Sequence, residues 1–100
     1  MGMNMKMIQQ MQTRLEKMQR ELAETEVEGS AGGGIVKARV TGAREFRSIS
    51  IDPSAVDPDD VEVLEDLITV AIQDAMNRAN SMAEEKMGAL TGGMRIPGLT

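Results

Sequence analysis

Cysteine, histidine, tryptophan and tyrosine are absent from this 100-residue chain, and Phe46 is its only aromatic side chain. Without cysteine there are neither disulfides nor thiolate metal sites. Without histidine the commonest metal ligand and the commonest general base are missing together. The adjacent acids Asp59-Asp60 and Glu65-Asp66 could hold a hard cation. Neighbouring residues diverge on a helix, however, so these acids read as solvated or dipole-complementing groups. No nucleophile has a visible base, and the sequence predicts no enzyme, no metal and no cofactor. No stretch approaches the roughly 18 apolar residues of a membrane span. The charged, Gln-rich start does not read as a secretory signal, so the expected location is the cytoplasm.

What is present is a single-domain composition, 41% apolar and 27% charged. The apolar side chains are mostly small or flexible: ten Met and ten Ala against seven Val, seven Ile and six Leu. Aromatic residues supply the largest individual buried areas, so a core built without them is thin. Pairing with a second copy is expected to contribute much of the stability.

Three blocks follow from the periodicity. Over residues 3–25, Ile8, Met11, Leu15, Met18 and Leu22 recur at alternating spacings of three and four, which predicts a helix with a coiled-coil-like seam. At about 100° per residue these five fall within roughly 80° of one another. Lys6, Arg14, Lys17 and Arg20 lie opposite, as a basic stripe. Over residues 26–52 the period changes to two. Val36, Ala38 and Val40 alternate with Lys37, Arg39 and Thr41, predicting a half-solvated strand. Phe46 to Ile51 predicts a second strand, with Ile49 and Ile51 on one face, and the stretch around Val27 a third, giving an antiparallel meander. Residues 57–88 predict a long second helix. Asp57 is placed to cap it, Pro58 to occupy its first position, and Asp59, Asp60 and Glu62 to complement its dipole. At most one extra turn fits near Ser54, and residues 89–100 have the Gly and Pro content of a flexible end.

Half of the ten glycines lie between Val27 and Gly42, and they invite comparison with a phosphate-binding loop. Such a loop needs a final glycine followed by lysine and then serine or threonine, opening a helix. Here Gly34 is followed by Ile35 and Val36 and leads into a strand, so the cluster reads as a turn.

Length and charge give a shape. At 1.5 Å per residue the two helices span roughly 33 and 43 Å, against about 23 Å for a seven-residue strand. The helices must overhang the sheet, as an antiparallel arm formed by the start of one and the end of the other. Met3, Met5, Met7 and Met11 would then face Met76, Met82 and Met87 and fill the arm's interior. A sharper alternative has the exposed ones wedging into a DNA minor groove. Net charge is +3 over residues 1–20, −1 over 21–51, −8 over 52–75 and +1 over 76–100. Positive arms held beyond a Debye length of about 8 Å from an acidic body can still bind DNA.

The segments "QQMQTRLEKMQRELAETEVEGSAGGGIVKARVTG", "ISIDPSAVDPDDVEVLEDLITVAIQDAMNRA" and "EEKMGALTGGM" resemble the YbaB/EbfC family of bacterial nucleoid-associated proteins, over nearly the whole chain. The resemblance implies an α+β fold of order α-β-β-β-α with a three-stranded antiparallel meander and two long protruding helices. It also implies a tweezers-like homodimer, double-stranded DNA as ligand, location in the nucleoid and a role in nucleoid organisation or gene regulation. A recombination or repair protein is a further partner it suggests. Carried over by position, Lys6, Arg14, Lys17, Arg78 and Lys86 fall where the family commonly has basic residues; Arg20 joins them from the stripe. A module that binds such a protein rather than DNA is the alternative reading.

Overall fold

A computed structural model of the chain describes residues 5–90. The elements are α1 (Met5–Glu24), β1 (Glu26–Ala31), β2 (Val36–Thr41), β3 (Phe46–Ile51) and α2 (Val61–Leu90), with short 3-10 turns at Gly32–Gly34 and Pro53–Ala55. The sheet is an antiparallel meander in the order β1-β2-β3. The fold class is therefore the α-β-β-β-α arrangement that the periodicity predicts.

Each junction has a local cause. α1 stops where the Thr25 amide and hydroxyl both donate to the Glu21 carbonyl, at 3.0 and 2.7 Å. The Thr25 carbonyl then accepts from the Gly42 amide at 2.9 Å, tying the end of α1 to the β2–β3 turn. The β1–β2 connection runs through Gly32, Gly33 and Gly34 at φ 62°, 73° and 100°, a backbone that side-chain-bearing residues rarely adopt. It is a turn leading into a strand.

The alternation in β2 holds for five of its six residues. Val36, Ala38 and Val40 are fully buried, and Lys37 and Arg39 are exposed. Thr41 departs from the expected solvent face and is also fully buried. Its Oγ1 accepts from the Ala43 and Glu45 amides at 3.2 and 3.1 Å, so the hydroxyl satisfies the turn from inside.

The start of the second helix differs as well. Asp57 does not cap α2: its Oδ1 accepts from the Asp59 amide at 2.9 Å and its carbonyl from the Asp60 amide at 3.0 Å. That closes a turn with Pro58 in a position that suits its fixed φ, and the helix begins at Val61.

α2 packs on β1 and β2 through its smallest side chains. Ala71, Ala75 and Ala79 are fully buried against Val36, Ala38 and Val40, and Leu64, Leu67, Ile68, Ile72 and Met76 pack around them half-exposed. The largest fully buried side chains are only Val36, Val40 and Thr41, the thin core that the composition predicts. Close approach requires Gly29: a Cβ there would sit 2.5 Å from the Ala71 carbonyl oxygen and 2.7 Å from the Ala75 Cα.

The molecule is extended. Its radius of gyration is 18.4 Å and its envelope 67 × 23 × 16 Å, where a compact chain of this length would have a radius of about 13 Å. Contacts order α2 along the long axis: Leu67 lies by Gly32, Ala71 and Ala75 by Gly29, Met82 by Gly42 beside Leu22, and Lys86 by Glu21. Late α2 thus meets late α1, and early α1 runs on beyond it.

Candidate nucleic-acid interface

Burial along the α1 seam records how the arm emerges. Leu22 and Met18 are 7% and 9% exposed, whereas Met11 and Ile8 are 39% and 38% exposed. The C-terminal end of the seam is docked, and its N-terminal end is exposed and not covered by other described residues. This corrects the expected arm interior. Met5 and Met7 are exposed, and Met76 packs against the core rather than opposite them. The reason is register: with Glu21 beside Lys86, Met5 to Met11 lie beyond the level of Leu90. Met3 lies outside the described residues.

The opposite face of α1 carries Lys6, Arg14, Lys17 and Arg20, all exposed. Among the described residues none of the four forms a salt bridge. The two cations expected on α2 differ from them. Arg78 Nε lies 3.2 Å from Asp74 Oδ2, and Lys86 Nζ lies 3.6 Å from Glu21 Oε2. Both pairs are at least partly solvent-exposed, and pairs of this kind are worth little.

The acidic segment 52–75 occupies the end of the molecule marked by Leu67 and the glycine turn, away from α1. The acidic segment and the start of α1 thus lie toward opposite ends of a 67 Å axis, and charges separated by more than a Debye length of about 8 Å are largely screened from one another. The field at the start of α1 is set by its local cations more than by the net charge of −5.

Asp74 has a structural task. Its Oδ2 accepts from the Ser30 amide at 3.0 Å, a donor on the open edge of β1, and so blunts that edge against further strand pairing. The Ser30 amide, with Arg78 contributing less, holds the Asp74 carboxyl below the ordinary aspartate range. The Ser54 amide does the same for Asp52 at 2.8 Å. A lowered folded-state value means stability that is present above about pH 4, the unfolded aspartate range, and lost as pH falls through the lowered value. Thermal melts are expected to fall on acidification below that point, and Asp74→Asn, which keeps an acceptor for Ser30, should lose less over the same window. An identical acid limb in both proteins would remove this role from Asp74.

The β3 edge is left open in a way that the strand pattern conceals. A bulge pairs Arg39 with Ser48 but Val40 with Phe46, so Phe46 joins Val40, Ile49 and Ile51 on the side facing α2. The helix covers β1 and β2 only. Phe46 is therefore 53% exposed and Ile49 37% exposed, an apolar face that α2 leaves largely open among the described residues.

Comparison with known proteins agrees with this architecture. A family model described as the YbaB/EbfC DNA-binding family matches residues 1–94. A nucleoid-associated protein of Chloroflexus aurantiacus is 55% identical over 91 residues, 91% of this chain and 91% of that protein. Another, from Alkaliphilus metalliredigens, is 53% identical over 95 residues, 95% of this chain and 83% of that protein. Among solved structures, the crystal structure of an uncharacterized protein from Helicobacter pylori is similar in fold, with a TM-score of 0.65 at 21% identity, covering 93% of this chain and 98% of that one.

Proposed function

The chain belongs to the YbaB/EbfC DNA-binding family, which is not an enzyme family, and from that premise we propose that it binds double-stranded DNA through α1 as a homodimer in the nucleoid. Its role there is nucleoid organisation or gene regulation. The observation that carries the DNA contact is the row of four exposed cations on α1, none with a carboxylate partner among the described residues. Arg78 and Lys86 supplement it once their carboxylates are displaced. The contact is to phosphates, which confer affinity without sequence readout.

Salt gives the test. Four phosphates neutralised per chain correspond to a slope of about −3.6 in log K against log salt. Raising salt from about 50 to 200 mM should then weaken binding about a hundredfold or more, on duplexes of unrelated sequence alike. Binding that ignores salt would refute the proposal.

The homodimer is supported by the uncovered β3 face and by a core with only Val36, Val40 and Thr41 as its largest fully buried side chains. Sedimentation equilibrium should give about twice the 10.8 kDa chain mass, and Phe46→Asp with Ile49→Asp should shift it to the monomer. Unchanged mass would place the contact elsewhere. One observation favours a second reading, a module that grips a recombination or repair protein: Ile8 and Met11 stay more than a third exposed. An apolar grip of that kind would survive the salt that dissociates DNA.

A further inference from the structure

We propose that the outer face of the sheet is a second contact surface for the phosphate backbone of double-stranded DNA, centred on Lys37 and Arg39. The inference rests on the DNA-binding reading above and extends it to a surface away from the helices.

Strand register builds the surface. With Val36, Ala38 and Val40 turned to α2, the residues between them face outward, and pairing aligns them in two rows. Ser30, Lys37 and Ser50 form one, and Glu28, Arg39 and Ser48 form the other. All six are exposed. The rows are about 6.8 Å apart along the strands and neighbours within a row about 4.8 Å apart. Glu28, Lys37, Arg39, Ser48 and Ser50 line a shallow depression there.

Its chemistry suits phosphate oxygens, which only accept hydrogen bonds. Lys37 forms no salt bridge among the described residues. Arg39 commits only its Nε, 3.3 Å from Glu28 Oε1, leaving its terminal nitrogens to donate. The Ser48 and Ser50 hydroxyls have no side-chain hydrogen bond among the described residues. No apolar side chain lines the depression, which argues against a protein or lipid occupant, since protein interfaces are anchored by buried aromatic and aliphatic groups. The opposing charges are Glu28, already paired, Glu26 at the α1 end of β1, Asp74, whose Oδ2 accepts from the Ser30 amide at the β1 edge of its row, and Asp52 just past β3, whose Oδ1 accepts from the Ser54 amide. Arg47, the extra residue of the bulge, is exposed beside this face.

The experiment is a salt titration of duplex binding by the full chain. Lys37→Ala with Arg39→Ala should weaken binding about tenfold and reduce the magnitude of the log–log salt slope by about 1.8, two phosphates at about 0.9 each. Lys37→Arg with Arg39→Lys should restore both. Because Arg39 also pairs with Glu28, a variant that leaves both cations in place is needed: Ser48→Asp with Ser50→Asp should weaken binding comparably, and Glu28→Gln should strengthen it. Unchanged affinity and slope in the alanine variant, with the wild type still binding in a salt-dependent way, would overturn the proposal. So would Lys37 and Arg39 NMR signals that move with inorganic phosphate or with an acidic peptide and not with duplex DNA. If the wild type itself shows no salt-dependent binding, it is the DNA reading that fails.

Discussion

Gly29→Ala is expected to destabilise the folded state severely. The new Cβ would lie 2.5 Å from the Ala71 carbonyl oxygen, 2.7 Å from the Ala75 Cα and closer still to the Ala75 nitrogen. All three are backbone atoms of α2, so no rotamer change relieves the contact and the helix has to lift off the sheet. Lifting it uncovers Ala71, Ala75 and Ala79 together with Val36, Ala38 and Val40, the whole fully buried apolar core. Overpacking against side chains usually costs about 1–3 kcal/mol; against helix backbone the cost should exceed about 3 kcal/mol, a large share of a stability of about 5–15 kcal/mol. A melt followed by circular dichroism reads the result. Gly33→Ala is the control: its Cβ meets nothing within 4 Å, and only the φ of 73° is strained. That change should cost about 1–2 kcal/mol and leave a folded protein. A Gly29→Ala variant that melts like the wild type would mean that α2 does not sit this close.

Reversing charge at Lys6, Arg14 and Lys17 to glutamate should eliminate measurable duplex binding while leaving the melt nearly unchanged. The three side chains are exposed and have no ion-pair partner among the described residues, so the folded state loses little with them. At about 1 kcal/mol per lost charged contact, their absence alone weakens binding by two orders of magnitude, and three new negative charges add repulsion. Reversal at Arg78 and Lys86 should do less, since those cations already share their charge with Asp74 and Glu21. A triple variant that shifts duplex as the wild type does would remove α1 from the interface.

Periodicity made the fold legible where one face is buried and one solvated. Ile8 to Leu22 marked α1, and Val36, Ala38 and Val40 marked β2. Three features escaped it, two of them decided by contacts outside their own segment. Asp57-Pro58 carries the composition of a helix start as much as that of a turn, and only the hydrogen bonds from Asp59 and Asp60 distinguish them. Alternation from Ile49 and Ile51 would put Phe46 on the opposite face, and the bulge returns it to theirs. Methionine count gives no register, so the exposed positions of Met5, Met7 and Met11 were not legible, and the register shows only in Glu21 lying beside Lys86. For the interface, spacing showed which cations share a helix face but not which have partners. The pairing of Lys86 with Glu21 is a tertiary fact, whereas that of Arg78 with Asp74 is an i,i+4 pair within α2. Lys37 and Arg39 were visible only as the wet side of a strand, because their rows with the serines depend on cross-strand register.

The most direct test of an α1 contact with DNA is the salt slope of binding when Lys6, Arg14, Lys17 and Arg20 are all changed to glutamine. Neutralisation without reversal removes counterion release and adds no repulsion, so the change in slope counts the phosphates those residues occupy. The magnitude of the slope should fall by about 3.6 for each chain bound, with the melt unmoved. An unchanged slope in a protein that still binds would mean that the phosphates are held elsewhere and that α1 is not the DNA-binding arm.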